Sequence, residues 1–272
     1  MGLIMPLGDR DVAVFETFVV PRFLSMFGVL ALEMAIPCEG AVVAHVGCRT
    51  GFPDHLFARY LPSSTILGFD PSEAALDLAR TKSRIIHDVT IDYHHAPDLP
   101  LAVDADSFSH VFSLYPLMDP ARRLDLIAEI VRLLAPGGQL LLSLPLRGSY
   151  QEIADLLREY ALKHDVGQVA KALESNVVLR PTLESLTEEV EDAGLQDVDV
   201  EVRLMTLSFR SGRDLLEDPV TRLMVVPDLE LTLGIDDIAG PMSYVREAID
   251  RYWSEGDFEL SVNVGCVSAR KG

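Results

Sequence analysis

Basic residues are scarce in this chain of 272 residues: 23 Lys and Arg stand against 42 Asp and Glu, a formal charge of −19. Such a chain is repelled by nucleic-acid phosphates and anionic lipid, which argues against nucleic acid or a membrane surface as an electrostatically captured partner. The acid surplus otherwise reads as a solvated surface. Cysteine is nearly missing as well. Cys38, Cys48 and Cys266 are odd in number and share no metal-ligand spacing, which excludes a disulfide framework and fits reduced thiols in a cytosol. No apolar run reaches membrane length, since Phe23 to Ile36 is about 14 residues and contains Glu33. No basic stretch precedes it, and Pro6 stands where a myristoylation signal has Ser or Thr, so no targeting segment and a cytoplasmic location are expected. There is no Pro-, Gly- and Ser-rich hinge, no internal repeat and no low-complexity tract, which points to one domain over 1–272. His45, His94, His95 and His110 lack metal-site spacing, and Ser113 and Ser143 lack a nucleophile elbow, so neither a metal nor a triad is assigned.

What the chain does have is the stretch Ala41 to Arg80, AVVAHVGCRTGFPDHLFARYLPSSTILGFDPSEAALDLAR. Ala41 to Val46 is short, apolar and β-branched, which predicts a buried strand. Gly47 and Gly51 bracket a tight loop, and Pro53 opens an amphipathic helix carrying Leu56, Phe57 and Tyr60. A second buried strand, Ile66 to Phe69, ends in Asp70, and Ser72 caps the next helix. In a βαβ unit of this kind the glycine turn lets a ligand approach the backbone, and a carboxylate about 20 residues on can accept hydrogen bonds from ribose hydroxyls.

Strand and helix signals continue to alternate. Val89, Ile91 and Tyr93 mark a third strand ending at His94 and His95, and Phe108 to Leu114 a fourth. Asp119 and Pro120 start a helix that Pro136, Gly137 and Gly138 stop, and Leu140 to Leu144 is a fifth strand. Ahead of the first strand, apolar spacings of three and four are interrupted by Pro21, which predicts two helices. Later, Gly148 to about Arg180 reads as helical with a break at Gly167, and Leu183, Leu186, Val190 and Ala193 line one side of a further helix. Val198 to Leu204 and Phe258 to Cys266 alternate as strands around an excursion with helical stretches at Gly212 to Met224 and Met242 to Trp253.

VxxHVGCRTG followed by GFDPSEAAL closely resembles the first two motifs of class I S-adenosylmethionine (SAM) dependent methyltransferases, a strand with D/E-x-G-x-G-x-G and then a strand ending in an acid. LPLAVDADSFSHVFSLYPLMD and LLAPGGQLLLSLP resemble the family's later strands, and FETFVVP its small-molecule members' Y-E-x-x-L-V-P opening. The resemblance covers roughly residues 14 to 146. It implies an α/β, Rossmann-like methyltransferase fold with a seven-stranded sheet of order 3-2-1-4-5-7-6, the seventh strand antiparallel and helices on both faces. Residues 1–40 would be an N-terminal helical lid, 41–146 the cofactor-type core, and 147–272 a C-terminal half with a helical insertion at 210–255.

The resemblance also implies SAM as cofactor, held at His45, Gly47, Arg49, Gly51, Asp70 and His95. Gly47, Gly51 and Asp70 agree with the family. His45 replaces the acid that faces the methionyl ammonium, Arg49 the middle glycine, His95 the Asp expected on the adenine amine, and Ser109 an Asp at the start of strand four. His45 and Arg49 both oppose a cationic ligand, by charge and, for Arg49, by bulk. Two readings follow. One is a methyltransferase-fold protein with a decayed SAM site, acting as a non-catalytic binding or regulatory module for a protein partner or another small ligand. The other is an active SAM-dependent methyltransferase acting on a small molecule. The catalytic residue is not identified; Tyr115 is the nearest candidate base, and core packing is the simpler role for it.

Overall fold

A computed structural model of the chain describes all residues except Met1, Leu3 and 235–237, together with the side chains of all of these but 176–178. The expected lid 1–40 and insertion 210–255 each include positions outside that set. A mixed seven-stranded sheet carries the fold: β1 (Val42–Val46), β2 (Thr65–Asp70), β3 (Thr90–His95), β4 (Phe108–Leu114), β5 (Leu134–Pro145), β6 (Leu195–Phe209) and β7 (Phe258–Lys271). Their order is β3-β2-β1-β4-β5-β7-β6, as the sequence leads one to expect, with helices around the sheet. The first four pairings are parallel, in a register that sets Val46 beside Phe69 and Asp70 beside His95. The ends of β1, β2 and β3 therefore meet at one edge, where the candidate residues lie.

The helices are α1 (Val12–Met34), α2 (Asp54–Tyr60), α3 (Glu73–Ser83), α4 (Arg123–Leu133), α5 (Gln151–Lys163), α6 (Gly167–Leu179), α7 (Leu183–Asp192), α8 (Gly212–Glu217), α9 (Val226–Leu233) and α10 (Ala239–Tyr252). Two expectations need correction. Pro21 does not split the N-terminal helix. Phe15–Leu24 instead winds with π geometry and runs on into Ser25–Met34, and the wider turn accommodates a residue that has no N–H and a ring facing the preceding turn. The resulting 23-residue helix is long and apolar enough to cross a membrane, which the 14-residue estimate missed. Its Phe15, Val19, Phe23, Phe27, Leu30 and Ala31 are buried, as in a core helix. The second correction is that β5 begins at Leu134, before Pro136-Gly137-Gly138, which loop out between Phe108 opposite Leu134 and His110 opposite Gln139.

The chain divides into two compact units: Met1–Leu144 with Leu183–Val202 and Gly265–Gly272, and Pro145–Thr182 with Arg203–Val264. In the second unit, Glu159 of α5 accepts from the hydroxyls of Tyr244 and Tyr252, both at 2.6 Å, and Arg180 pairs with Asp228. In the first, Arg123 of α4 holds Glu189 of α7 by two bonds of 2.7 and 2.6 Å.

The exit from α1 is tied down by buried polar groups. Gln139 accepts from Ile36 N–H at 2.8 Å and donates to Met34 O at 2.8 Å and to Ser268 Oγ at 2.7 Å. His110 Nε2 lies 2.9 Å from Ile36 O and its Nδ1 3.0 Å from Ser109 Oγ, while Ser109 Oγ in turn receives Val42 N–H at 3.0 Å. Ser109 thus fills a structural place between β1 and β4 at the position where the family pattern has Asp.

Gln139→Leu would orphan these backbone groups, and a lost stability of about 1–3 kcal/mol is expected, seen as a lower urea midpoint at unchanged m value. Burial, opposed by the Ile36 carbonyl, holds the His110 imidazole below its ordinary value of 6.5. The unfolded chain therefore takes up this proton first as pH falls, and stability drops as pH falls through that value. A urea midpoint falling between about pH 7.5 and pH 5.5, with a shallower fall in His110→Gln, is the expected outcome.

Candidate functional site

The loop between β1 and α2 turns on Gly47 (φ +74) and Gly51 (φ +75), where L side chains would be strained. Gly47 N–H and Cys48 N–H both donate to Phe69 O, at 2.8 and 3.1 Å, so the loop closes over the end of β2. Arg49 adopts φ +46, a left-handed conformation costly for a residue with a side chain, and is only 5% exposed. Its guanidinium donates to Leu114 O at 3.1 Å and Tyr115 O at 2.6 Å, and lies 5.6 Å from the Phe15 ring centroid. Burial lowers the Arg49 pKa from its ordinary value, with Asp70 opposing that shift.

Asp70 does not present a free carboxylate. Its Oδ2 accepts Arg49 N–H and its Oδ1 accepts Ser72 N–H, both at 2.8 Å, and burial raises its pKa despite these bonds. His95, at the end of β3, is exposed and lies with Nε2 3.0 Å from Pro71 O. His45 points beneath the loop instead of over it. Its ring stacks on Phe112, centroids 4.1 Å apart, and its Nδ1 is 2.7 Å from Asp54 Oδ1. The other oxygen of Asp54 accepts from the Tyr93 hydroxyl at 2.8 Å, and Asp54 is wholly buried. Burial first, then the Asp54 carboxylate, pushes the Tyr93 phenol up, which keeps it a donor.

Gly47, Arg49, Gly51 and Asp70 are thus assembled around one loop, with His45 below it and His95 at its margin. The sequence reading missed Asp54 and Tyr93. The available signal was an acid at the first position of a helix nine residues after His45, and a tyrosine at an inward position of an edge strand. It also missed Ile4, whose side chain is buried against Gly47, so that a Cβ added to Gly47 would lie 3.0 Å from Ile4 Cδ1. The segment around Ile4 is tied down by Met5 N–H on Leu117 O at 2.7 Å and by Ser72 Oγ–H on Leu7 O at 2.7 Å. Tyr115 packs its ring on Phe23 and Phe27, at 5.7 and 5.2 Å, and turns its carbonyl to Arg49.

Residues 43–138 match the family described as "Methyltransferase domain". That segment is similar to class I methyltransferase domains. Over 199 residues it is 28% identical to a carboxy-S-adenosyl-L-methionine synthase of Pseudomonas putida, covering 65% of this chain and 77% of that protein. Over 124 residues it is 30% identical to the methyltransferase GfsG of Streptomyces halstedii, covering 44% of each. The solved structure of YcgJ from Bacillus subtilis shares the fold, with TM-score 0.56 and 11% identity over 91% of this chain and 98% of that one. The sheet order and the matched segment are methyltransferase-like.

As arranged here, the residues do not fit SAM. Where the family keeps a bare glycine, Arg49 fills the turn; Asp70 is spent on backbone amides; and, among the described residues, one hollow beside Ile4, Gly47, Phe69 and Pro97 is about 10 Å³. That volume is of the order of one water molecule, against hundreds of Å³ for a ligand pocket. Among the described residues no three His, Cys, Asp or Glu side chains group to hold a metal.

Tyr93→Phe should leave one Asp54 oxygen unpaired in the interior. A loss of about 1–3 kcal/mol in urea unfolding at unchanged m is expected, and a neutral effect would mean that the bond is not formed.

Proposed function

We propose that this chain keeps the methyltransferase fold as a non-catalytic binding or regulatory module, a cytoplasmic protein whose cofactor cleft is filled by its own residues and which binds a protein partner or a different small ligand. The single observation that carries this reading is the seat of Arg49: guanidinium on Leu114 O and Tyr115 O, backbone amide on Asp70. A cation buried there opposes the sulfonium and ammonium of SAM by charge as well as by volume. His45 supplies no compensating carboxylate, because it is bound to Asp54 beneath the loop.

A second reading, an active SAM-dependent methyltransferase acting on a small molecule, is favoured by the family match over 43–138 and by the relatives' names. In that case Arg49 and the segment at Ile4 must both leave the cleft before cofactor enters.

Calorimetry with SAM and with S-adenosylhomocysteine separates the two. Wild-type affinity is expected to be millimolar or weaker, about −4 kcal/mol. Micromolar binding would overturn the non-catalytic reading and install the second. Arg49→Gly removes the plug at a φ that glycine accepts readily, and an affinity gain of at least about tenfold is expected from it. His45→Asp is not the partner change to make, since it would set a second buried carboxylate against Asp54.

A further inference from the structure

On the Gly51 side of the glycine loop, a hollow of about 440 Å³ opens between α2, the C-terminal end of α3 and the loop into β3. His55 and Arg59 of α2, Lys82 of α3 and His87 of the loop line it, with the Tyr93 ring and Ile86 among its apolar walls. None of its lining residues is acidic, in a chain of formal charge −19. A lone Arg59 would be the ordinary cation of a helix C-terminus. Three further nitrogen donors from three separate elements around the same cavity are not accounted for in that way.

The donors differ in how far they are committed. Lys82 Nζ is held by Glu16 Oε1 at 2.6 Å and Thr50 O at 3.0 Å, which fixes its position and leaves one N–H. Arg59 and His87 are exposed, and among the described residues neither side chain makes a hydrogen bond or ion pair. Burial first, then the charges of Lys82 and Arg59, holds the His55 imidazole below its usual range, with the Asp54 and Glu16 carboxylates opposing.

We propose that this hollow binds a small organic phosphate, with Arg59 and Lys82 on the phosphoryl oxygens, His55 and His87 beside them, and the organic part against Tyr93 and Ile86. Phosphate answers the arrangement better than a single carboxylate does. It offers three oxygens and close to two charges to donors approaching from different sides, and the planar fork of arginine matches two of those oxygens at once. The volume falls within the range of small-molecule sites. None of these four donors is a cofactor-site candidate, although Gly51 lines the hollow and Lys82 holds Thr50 O of the glycine loop.

The experiment is thermal shift and calorimetry on the full chain at low salt, with phenyl phosphate, inorganic phosphate and benzoate as probes. Phenyl phosphate should raise Tm in a concentration-dependent way, inorganic phosphate should do so more weakly, and benzoate should bind at least about tenfold less tightly than phenyl phosphate. Arg59→Glu and His87→Ala change exposed, unpaired side chains and should leave the Tm of the free protein nearly unchanged. Arg59→Glu should weaken phenyl phosphate at least about tenfold, while Arg49→Gly should leave it unaltered. The proposal is overturned if no phosphate stabilises the protein, if benzoate equals phenyl phosphate, or if Arg59→Glu binds as wild type does.

Discussion

A buried guanidinium is expensive unless its donors are satisfied, and Arg49 is satisfied by main-chain carbonyls that only a particular arrangement of the chain can supply. Tyr115 must take φ +43 beyond the end of β4, and Arg49 itself φ +46. Phe15 of α1 closes over the cation, and Asp70 draws the Arg49 amide toward the end of β2 while its charge opposes the cost of burial. The N-terminal helix, the glycine loop and the ends of β2 and β4 are therefore held in one arrangement by one charge. The same contacts occupy the glycine turn and both oxygens of the Asp70 carboxylate.

Beneath the loop a second network works from the opposite side. His45 on β1, Asp54 at the start of α2 and Tyr93 on β3 share one buried carboxylate, with Phe112 stacked under the imidazole. Buried polar groups of this kind are stabilising when every member is paired and costly when one is lost, so they tend to hold one geometry. The loop is thus gripped from above through Arg49 and from below through His45. These are two of the four positions at which the chain departs from the family pattern, and in the folded protein each has a structural partner.

Much of the sheet was legible from hydrophobic pattern. Short buried runs such as Val42–Val46 and Phe108–Leu114, spaced by amphipathic helices, allow few topologies other than a largely parallel sheet. The alternation in Val198–Leu204 and Phe258–Cys266 marked the last pair, which are neighbours in the sheet. Pattern failed at Pro21, where a local rule predicted a break and the helix widened its turn instead. It failed also at Ile4, an isolated apolar residue in an aperiodic segment, which carries no local sign that it will cover Gly47.

The candidate site divides in the same manner. The sequence by itself determined that Gly47, Gly51 and Asp70 would form a turn and an acid at adjoining strand ends, because positive φ and strand termini are local properties. It also determined that His45 and Arg49 bring neither the carboxylate of Asp nor the small volume of Gly, because charge and volume belong to the residue wherever it sits. Only the tertiary structure decided where those side chains go: Arg49 onto carbonyls 65 and 66 residues away, and His45 onto an acid that Tyr93 shares from 39 residues beyond it. Such pairings depend on which strand ends the sheet order brings together and on which buried groups still lack a partner, and neither is written in any local stretch of the chain.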